Sequence, residues 1–393
     1  MLKFIRLLAP LSLALCCLLL LPASALACGG LFASTNQARV SQDTERLLIT
    51  VGAHSTTLYE QIRYQGKAQD FAWVLPVPVV PSVDQAPQAL FTSLEQLTAP
   101  RFVVPAARTC DYADITRPHY SGMGAGAPNT TSSSNVNVYG SGAVGPFAYD
   151  VIKSGDAGAL THWLQAHQYA VPASTQQFIQ PYVAKNMYFL AMRLQAKADT
   201  TSIAPVKITF PMVMKQIMIP IRLAATDINT RMNMEVSILA NERFAPQNYQ
   251  DIHIDQDQIT STPNPGANYY QLIDTAIQKA GGYGFVTEYA QPVGPYALGS
   301  YLKEMPENAY LTRFYTSFTP DHMQIDPILA PKANLNPVSP YISLNYSSPP
   351  PDCTLTYVKS AACVGGAVGV PLLGIVAGAI WLRRHYKAAR RVL

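Results

Sequence analysis

The run Asp251-Ile252-His253-Ile254-Asp255-Gln256-Asp257 is the stretch of this chain whose residue types and spacing point most directly to ligand chemistry. Read as extended backbone, it places Asp251, His253, Asp255 and Asp257 on one face, with Ile252 and Ile254 behind. Carboxylates and an imidazole on one face could hold a divalent cation, and oxygen donors favour calcium, magnesium or manganese over structural zinc. Same-face neighbours on a strand stand about 7 Å apart, so at most two could ligate one ion without a bend. The competing and preferred reading is an edge strand whose acidic, solvated face discourages pairing with another sheet.

Other residues with chemical potential are scattered. Asp321 and His322 set an acid beside an imidazole, but adjacent residues on a helical turn do not face each other. No serine or cysteine stands in a recognisable nucleophile turn, so a hydrolase has little support. His54 falls in a hairpin loop, and His162 and His167 are not one helical turn apart, so neither reads as a metal ligand. Of the six cysteines, Cys16 and Cys17 lie in an N-terminal apolar run and Cys363 in a C-terminal one, which leaves Cys28, Cys110 and Cys353. None forms a Cys-x-x-Cys pair, so a zinc ribbon or thioredoxin-like site is not expected. In an oxidising compartment two of them pair: Cys110 with Cys353 if Cys28 is acylated, Cys28 with Cys110 if it is not.

The elements that must position these residues begin outside the cytoplasm. Lys3 and Arg6 precede apolar residues 7–21, and Ala25 and Ala27 form a small-residue cleavage site before Cys28, so 1–27 reads as a secretory signal. Residues 361–382 carry no charge and are long enough to span about 30 Å of hydrocarbon. Arg383, Arg384, Lys387, Arg390 and Arg391 follow at once, which places the C-terminal tail 383–393 in the cytoplasm. The chain is then a single-pass type I membrane protein, with Gly365/Gly369 and Gly374/Gly378 as small-residue pairs in the span. Of 28 basic residues two sit in the signal and five in the tail, so the outer region holds 21 against 24 acidic ones. That balance gives no basic surface for nucleic acid.

Within 28–330 the expected fold is α+β, with mixed, mostly antiparallel sheets and a few packed helices. A hairpin is expected from 46–51 and 56–64, followed by an extended segment 71–77 that is apolar on both faces and ended by Pro76 and Pro78. A helix from about 85 to 97 follows. Residues 121–135 are rich in Gly, Ser, Asn and Thr and read as a mobile loop, with a short strand at 136–139 after it. Then come a helix at 154–167 capped by Ser154, a helix at 176–183, and strands at 187–194, 206–210, 217–223 and 232–239. A helix at 269–280 stops at Gly281-Gly282, strands occupy 285–289 and 310–318, and 331–360 is a Pro-rich spacer before the membrane. The two strand-and-helix groups could be halves of one fold.

The order of certain segments resembles a bacterial family. Ala27-Cys28-Gly29-Gly30-Leu31-Phe32, Gln69-Asp70-Phe71-Ala72-Trp73-Val74-Leu75-Pro76-Val77-Pro78 and Leu97-Thr98-Ala99-Pro100-Arg101-Phe102 open the match. Val144-Gly145-Pro146-Phe147, Leu160-Thr161-His162-Trp163-Leu164, Gly281 through Tyr289, Tyr310 through Tyr315 and Asp326-Pro327 continue it. These are similar to domain-of-unknown-function family 2330. The resemblance implies secreted or envelope proteins of bacteria, often with a signal and a C-terminal span, and supplies no catalytic residues. The expected role is therefore a membrane-tethered binding or envelope-organising module, meeting an envelope protein or surface ligand. An envelope enzyme using the 251–257 face or Asp321/His322, and a structural surface protein, are the alternatives.

Overall fold

The structure is a computed structural model and describes residues 30–33, 41–65, 71–104, 137–167, 169, 171–194, 205–226, 231–261, 263–298, 301–302 and 305–344. The signal, Cys28, Cys110, Cys353, the 121–135 segment, the 361–382 run and the basic tail lie outside the described residues. Eighteen strands occur among those described. They are β1 Gly30–Ala33, β2 Ser41–Val51, β3 Thr56–Gln65, β4 Phe71–Val77, β5 Ser82–Gln85, β6 Arg101–Val103, β7 Asn137–Val144, β8 Phe147–Lys153 and β9 Tyr188–Leu194. They continue as β10 Val206–Phe210, β11 Ile217–Met218, β12 Met232–Ala240, β13 Phe244–Pro246, β14 Gln250–Ile252, β15 Gly284–Pro292, β16 Tyr310–Phe318, β17 Ile328–Pro331 and β18 Tyr341–Ser343. The helices are α1 Gln88–Thr98, α2 Ala157–Ala166, α3 Gln176–Ala184 and α4 Tyr269–Lys279.

Strand alternation decides the layers. In β2, Leu47 and Ile49 face one way and Leu48 the other, and all three are buried, so both faces of this sheet must be covered. Eight strands join in the order β14-β15-β16-β12-β2-β3-β10-β5, and five in the order β1-β4-β9-β8-β7. Leu47, Ile49 and Leu58 of the first sheet share a core with Trp73, Leu75 and Leu190 of the second. The outer face of the larger sheet is covered by α1 through Leu90, Phe91 and Leu94, and by α4 through Ile273 and Ile277. The outer face of the smaller sheet carries α2 and α3, where Leu160, Trp163 and Ile179 pack on Val74, Phe189 and Ala191. The result is a helix–sheet–sheet–helix stack in which each buried Leu, Ile or Phe contributes roughly 1.5–3 kcal/mol.

The α+β reading holds: most pairings are antiparallel, with parallel pairs at β12/β2, β14/β15 and β18/β6. The hairpin β2–β3 closes through Gly52 N–H donating to Ser55 O at 2.9 Å. β4 is apolar on both faces, as its alternation predicts, but it continues through Pro76 to Val77. The described pairing with β1 runs from Phe71 to Val74, so Pro76 lies past it, near the strand end where an imino acid is tolerated. β4 also leaves the hairpin behind and joins the second sheet. The cap of α2 is Asp156, whose Oδ1 accepts from Ala159 N at 2.6 Å; Ser154 instead bonds Asp156 N at 3.1 Å, two residues short of the cap role expected for it.

Two expectations fail for a shared reason, a long-range partner that local spacing cannot reveal. Residues 217–223 are a two-residue strand, β11, followed by a 3-10 turn at Arg222–Thr226, because Ile221 N–H donates to the Asp326 carboxylate at 3.1 Å and not to a ladder. The expected spacer from 331 onward lies along the domain as far as 344. Val338 and Ala290 exchange backbone bonds at 2.9 Å, β18 pairs with β6, and Leu344 is buried. Among the described residues no helix is long and apolar enough to cross a membrane.

Candidate functional site

The residues singled out by spacing are not gathered. β14 stops at Ile252, so the alternation of 251–257 breaks after its first member. Asp251 Oδ1 accepts from Thr287 Oγ1 at 3.1 Å. Asp255 turns back to cap the 3-10 turn Gln256–Gln258, accepting from Asp257 N at 3.0 Å and Gln258 Nε2 at 3.3 Å. Carboxylates close to free backbone N–H groups take such local bonds readily, which here bends the chain away from the strand. His253 is exposed. Among the described residues no group of three His, Cys, Asp or Glu is arranged to hold a metal.

Asp321 is exposed and His322 half-buried in the 3-10 turn Pro320–His322. His322 Nδ1 lies 2.7 Å from Thr319 Oγ1, and its ring meets Tyr283 edge-on at 5.8 Å. The imidazole also roofs Gly282, which stops α4 with φ +84°. A Cβ there would sit 2.2 Å from His322 Cγ. Gly282→Ala is therefore expected to cost about 2–4 kcal/mol, from left-handed backbone strain and overpacking together. A urea midpoint equal to that of the parent would contradict both the clash with His322 and the left-handed strain. His162 is exposed on α2, while His167 ends that helix, stacked 3.8 Å from Trp163 with Nδ1 2.8 Å from Trp163 O.

A belt of charge crosses the outer face of the larger sheet. Strand register sets Gln61 of β3 opposite Arg46 of β2, Arg46 beside Glu235 of β12, and Glu235 opposite Tyr315 of β16. Two residues before Tyr315, on the same face, lies Arg313, which is 1 % exposed. Its Nε donates to Glu288 Oε2 at 2.9 Å, its Nη1 to Glu95 Oε2 at 2.9 Å and to Thr98 Oγ1 at 3.2 Å. Its Nη2 stands 3.3 Å from Glu235 Oε2, and Arg46 bridges Glu235 at 3.0 Å and Glu95 at 3.4 Å.

Each partner arrives by a different route. Glu95 and Thr98 descend from α1, and Thr98 spends its own hydroxyl proton on Leu94 O at 2.7 Å. Glu288 is the extra residue of a β-bulge, since the β15/β16 register slips between Thr287 and Tyr289. The bulge aims Glu288 toward the helices, where Tyr269, Tyr270 and Tyr315 close around it, with Tyr270 and Tyr315 rings 4.8 Å apart. Burial pushes the Glu288 carboxyl up to about 7 against the pull of Arg313. Desolvation works against the Arg313 charge, but Glu288, Glu235 and Glu95 outweigh it and hold the guanidinium above its usual range. Burial, then the Glu288 charge, raises the Tyr269 and Tyr270 phenols. The rim that solvent reaches is Glu95, with its side chain 36 % exposed, and Tyr270 at 45 %.

Sequence reasoning passed over this belt, although a signal was present. Three members are lone charges inside otherwise uncharged strands: Arg313 in YLTRFYTSF, Glu288 in GFVTEYAQP and Glu235 in MNMEVSILA. Such charges need partners when buried. Two further carboxyls sit inside. Glu45 and Glu60 point from β2 and β3 into the core between the sheets, and burial followed by the Glu45 charge pushes the Glu60 carboxyl well up. Asp326 accepts from Tyr182 Oη at 2.7 Å and faces Arg222 Nε at 3.3 Å, fastening α3 to the 222–226 turn.

Chemically the belt can orient and neutralise; it holds no activated nucleophile. Its carboxylates are bound to guanidiniums, and what it can move is the Glu288 proton. The class defined is a four-layer α+β domain with an ionic belt under its helices. The chain belongs to the family described as uncharacterized protein conserved in bacteria, DUF2330, which it matches over residues 22–329. Three of the segments that carry the resemblance hold Glu288, Arg313 and Asp326. Among solved structures it is similar to baculovirus P35, at 9 % identity and TM-score 0.30, over 76 % of this chain and 98 % of that one. A likeness at that level carries no argument. No curated protein matches the chain.

Proposed function

We propose that this chain is a binding module held outside the cytoplasm of a bacterial cell by its C-terminal apolar run, and that the belt between α1 and α4 is its ligand surface. The tether rests on residues 1–27, 361–382 and the basic tail. The binding surface rests on one observation: three carboxylates and two guanidiniums, already locked in register, surface at Glu95 beside the half-exposed ring of Tyr270. With all groups ionised the set is one charge negative, and an aromatic wall beside carboxylates suits an amine or other cationic group. A ligand that binds only the folded form at a hundredfold excess over its Kd stabilises by about 2.7 kcal/mol.

The test is a thermal shift of the full chain in detergent with spermidine, lysine and a lysine-rich peptide, against phosphate and citrate. The cationic series is expected to raise the melting temperature of the parent and not of Tyr270→Ala, whose truncation leaves the buried bonds intact. Equal shifts from both series, or none from either, remove the belt as a ligand surface. An envelope enzyme is the second reading, favoured by Glu288 alone, because a carboxyl near 7 is matched to proton transfer at neutral pH.

A further inference from the structure

We infer that two copies of this chain join through β7, continuing the five-stranded sheet of one copy into that of the other about a two-fold axis. The two larger sheets have four outer strands among the described residues: β1, β7, β14 and β5. β14 has three residues and includes Asp251; β5 has four and carries Asp84, paired with Lys207 at 3.7 Å; β1 has four. β7 has eight, Asn137-Val138-Tyr139-Gly140-Ser141-Gly142-Ala143-Val144, without a charge or a proline. Outer strands of soluble domains are ordinarily short, charged, proline-bearing or covered, because a bare row of N–H and C=O groups templates another strand. β7 has a bulge at Tyr139 and otherwise, among the described residues, none of those defences.

Its side chains suit a copy of itself. Pairing about a two-fold axis sets β7 against its own copy, so a charge near the axis would meet its own sign; β7 carries none. Past the bulge, Gly140, Ser141, Gly142 and Ala143 leave the rim low, so a second backbone can approach. Centred on Ser141, the axis sets Val138 against Val144 and Tyr139 against Ala143 of the other copy. Val138 and Tyr139 are 38 % and 47 % exposed, and pairing covers them. The bulge lifts Tyr139 onto Tyr188 at 5.0 Å, whose ring also carries Lys153 Nζ at 4.2 Å, so the exposed ring is held and not loose. A polar face of Lys153 and two phenols thus borders the seam.

The experiment uses the full chain in its native membrane. Ser141→Cys at the axis should give a reducible species of twice the chain mass on mild oxidation. The parent, with its own cysteines, and Thr275→Cys, on the exposed side of α4, should give little. Val138→Lys added to Ser141→Cys sets a charged side chain against the apolar Val144 of the other copy and should abolish the species while leaving the thermal melt unchanged. A Ser141→Cys chain that stays single, that links no better than Thr275→Cys, or that links to a protein of another mass overturns the inference.

Discussion

Arg313→Met is expected to lower the unfolding free energy of the full chain by about 3–5 kcal/mol, because it strips the common cation from three carboxylates and leaves Glu288 buried without a counter-charge. Urea unfolding followed by circular dichroism reads this directly. The double variant Arg313→Met/Glu288→Gln should recover part of the loss, since a buried neutral amide replaces a buried anion. The non-additivity is itself the measure of the pair. A single variant within about 1 kcal/mol of the parent would show that the belt is surface decoration in the sense of exposed ion pairs, which contribute about that much.

Raising the pH from 5 to 8 is expected to destabilise the domain, against the common pattern for proteins whose carboxylates are paired and depressed. Burial raises the Glu288 carboxyl from 4.5 to about 7, and raises Glu60, Asp326 and Asp150 in the same direction. The folded form therefore holds protons that the unfolded form has released. The stability that Glu288 adds by holding its proton is complete below about 4.5 and is lost as pH rises through 7, a change on the order of 3 kcal/mol. Glu288→Gln should flatten the melting temperature across that window, and Glu60→Gln should remove further slope. Because a protonated Glu288 needs no counter-charge, Arg313→Met should cost more at pH 8 than at pH 5. A melting temperature that rises toward pH 8 would contradict the burial of these groups.

How far the fold can be read from the chain depends on the range of the interaction. The hairpin 46–64 is local, and so is the amphipathic 269–280 segment with its Gly281-Gly282 stop; both lie within a residue of their observed bounds except at the start of β2, which begins five residues earlier at Ser41. β16 spans the expected 310–318, because a long apolar alternation bounded by polar turns has one solution. What spacing could not show is which sheet a strand joins. β4 follows the hairpin in sequence yet pairs with β9, and β2 finds a parallel neighbour in β12. The 251–257 run is the converse case: β14 is an outer strand, as the preferred reading has it, but the shared face would need the strand to persist beyond Ile252, and Asp255 caps a turn instead. The Arg313 belt stayed hidden because its members come from five separate elements, each contributing one unremarked charge.

The parallel pairing of β12 with β2 also governs when this domain can come into being. Asn233–Leu239 must find Thr44–Thr50 across most of the mature chain, and β16 at 310–318 must then flank β12. Contacts of such sequence separation slow folding, since loop closure precedes any return from pairing. In synthesis from the N-terminus, the larger sheet cannot assemble until residue 318 has been made. Until then β2 and β3 stand as a two-stranded ribbon, which is marginal alone. A domain of this topology stays pliable for most of its synthesis and sets only when β16 arrives. Its oldest long strand thereby waits for one of its youngest.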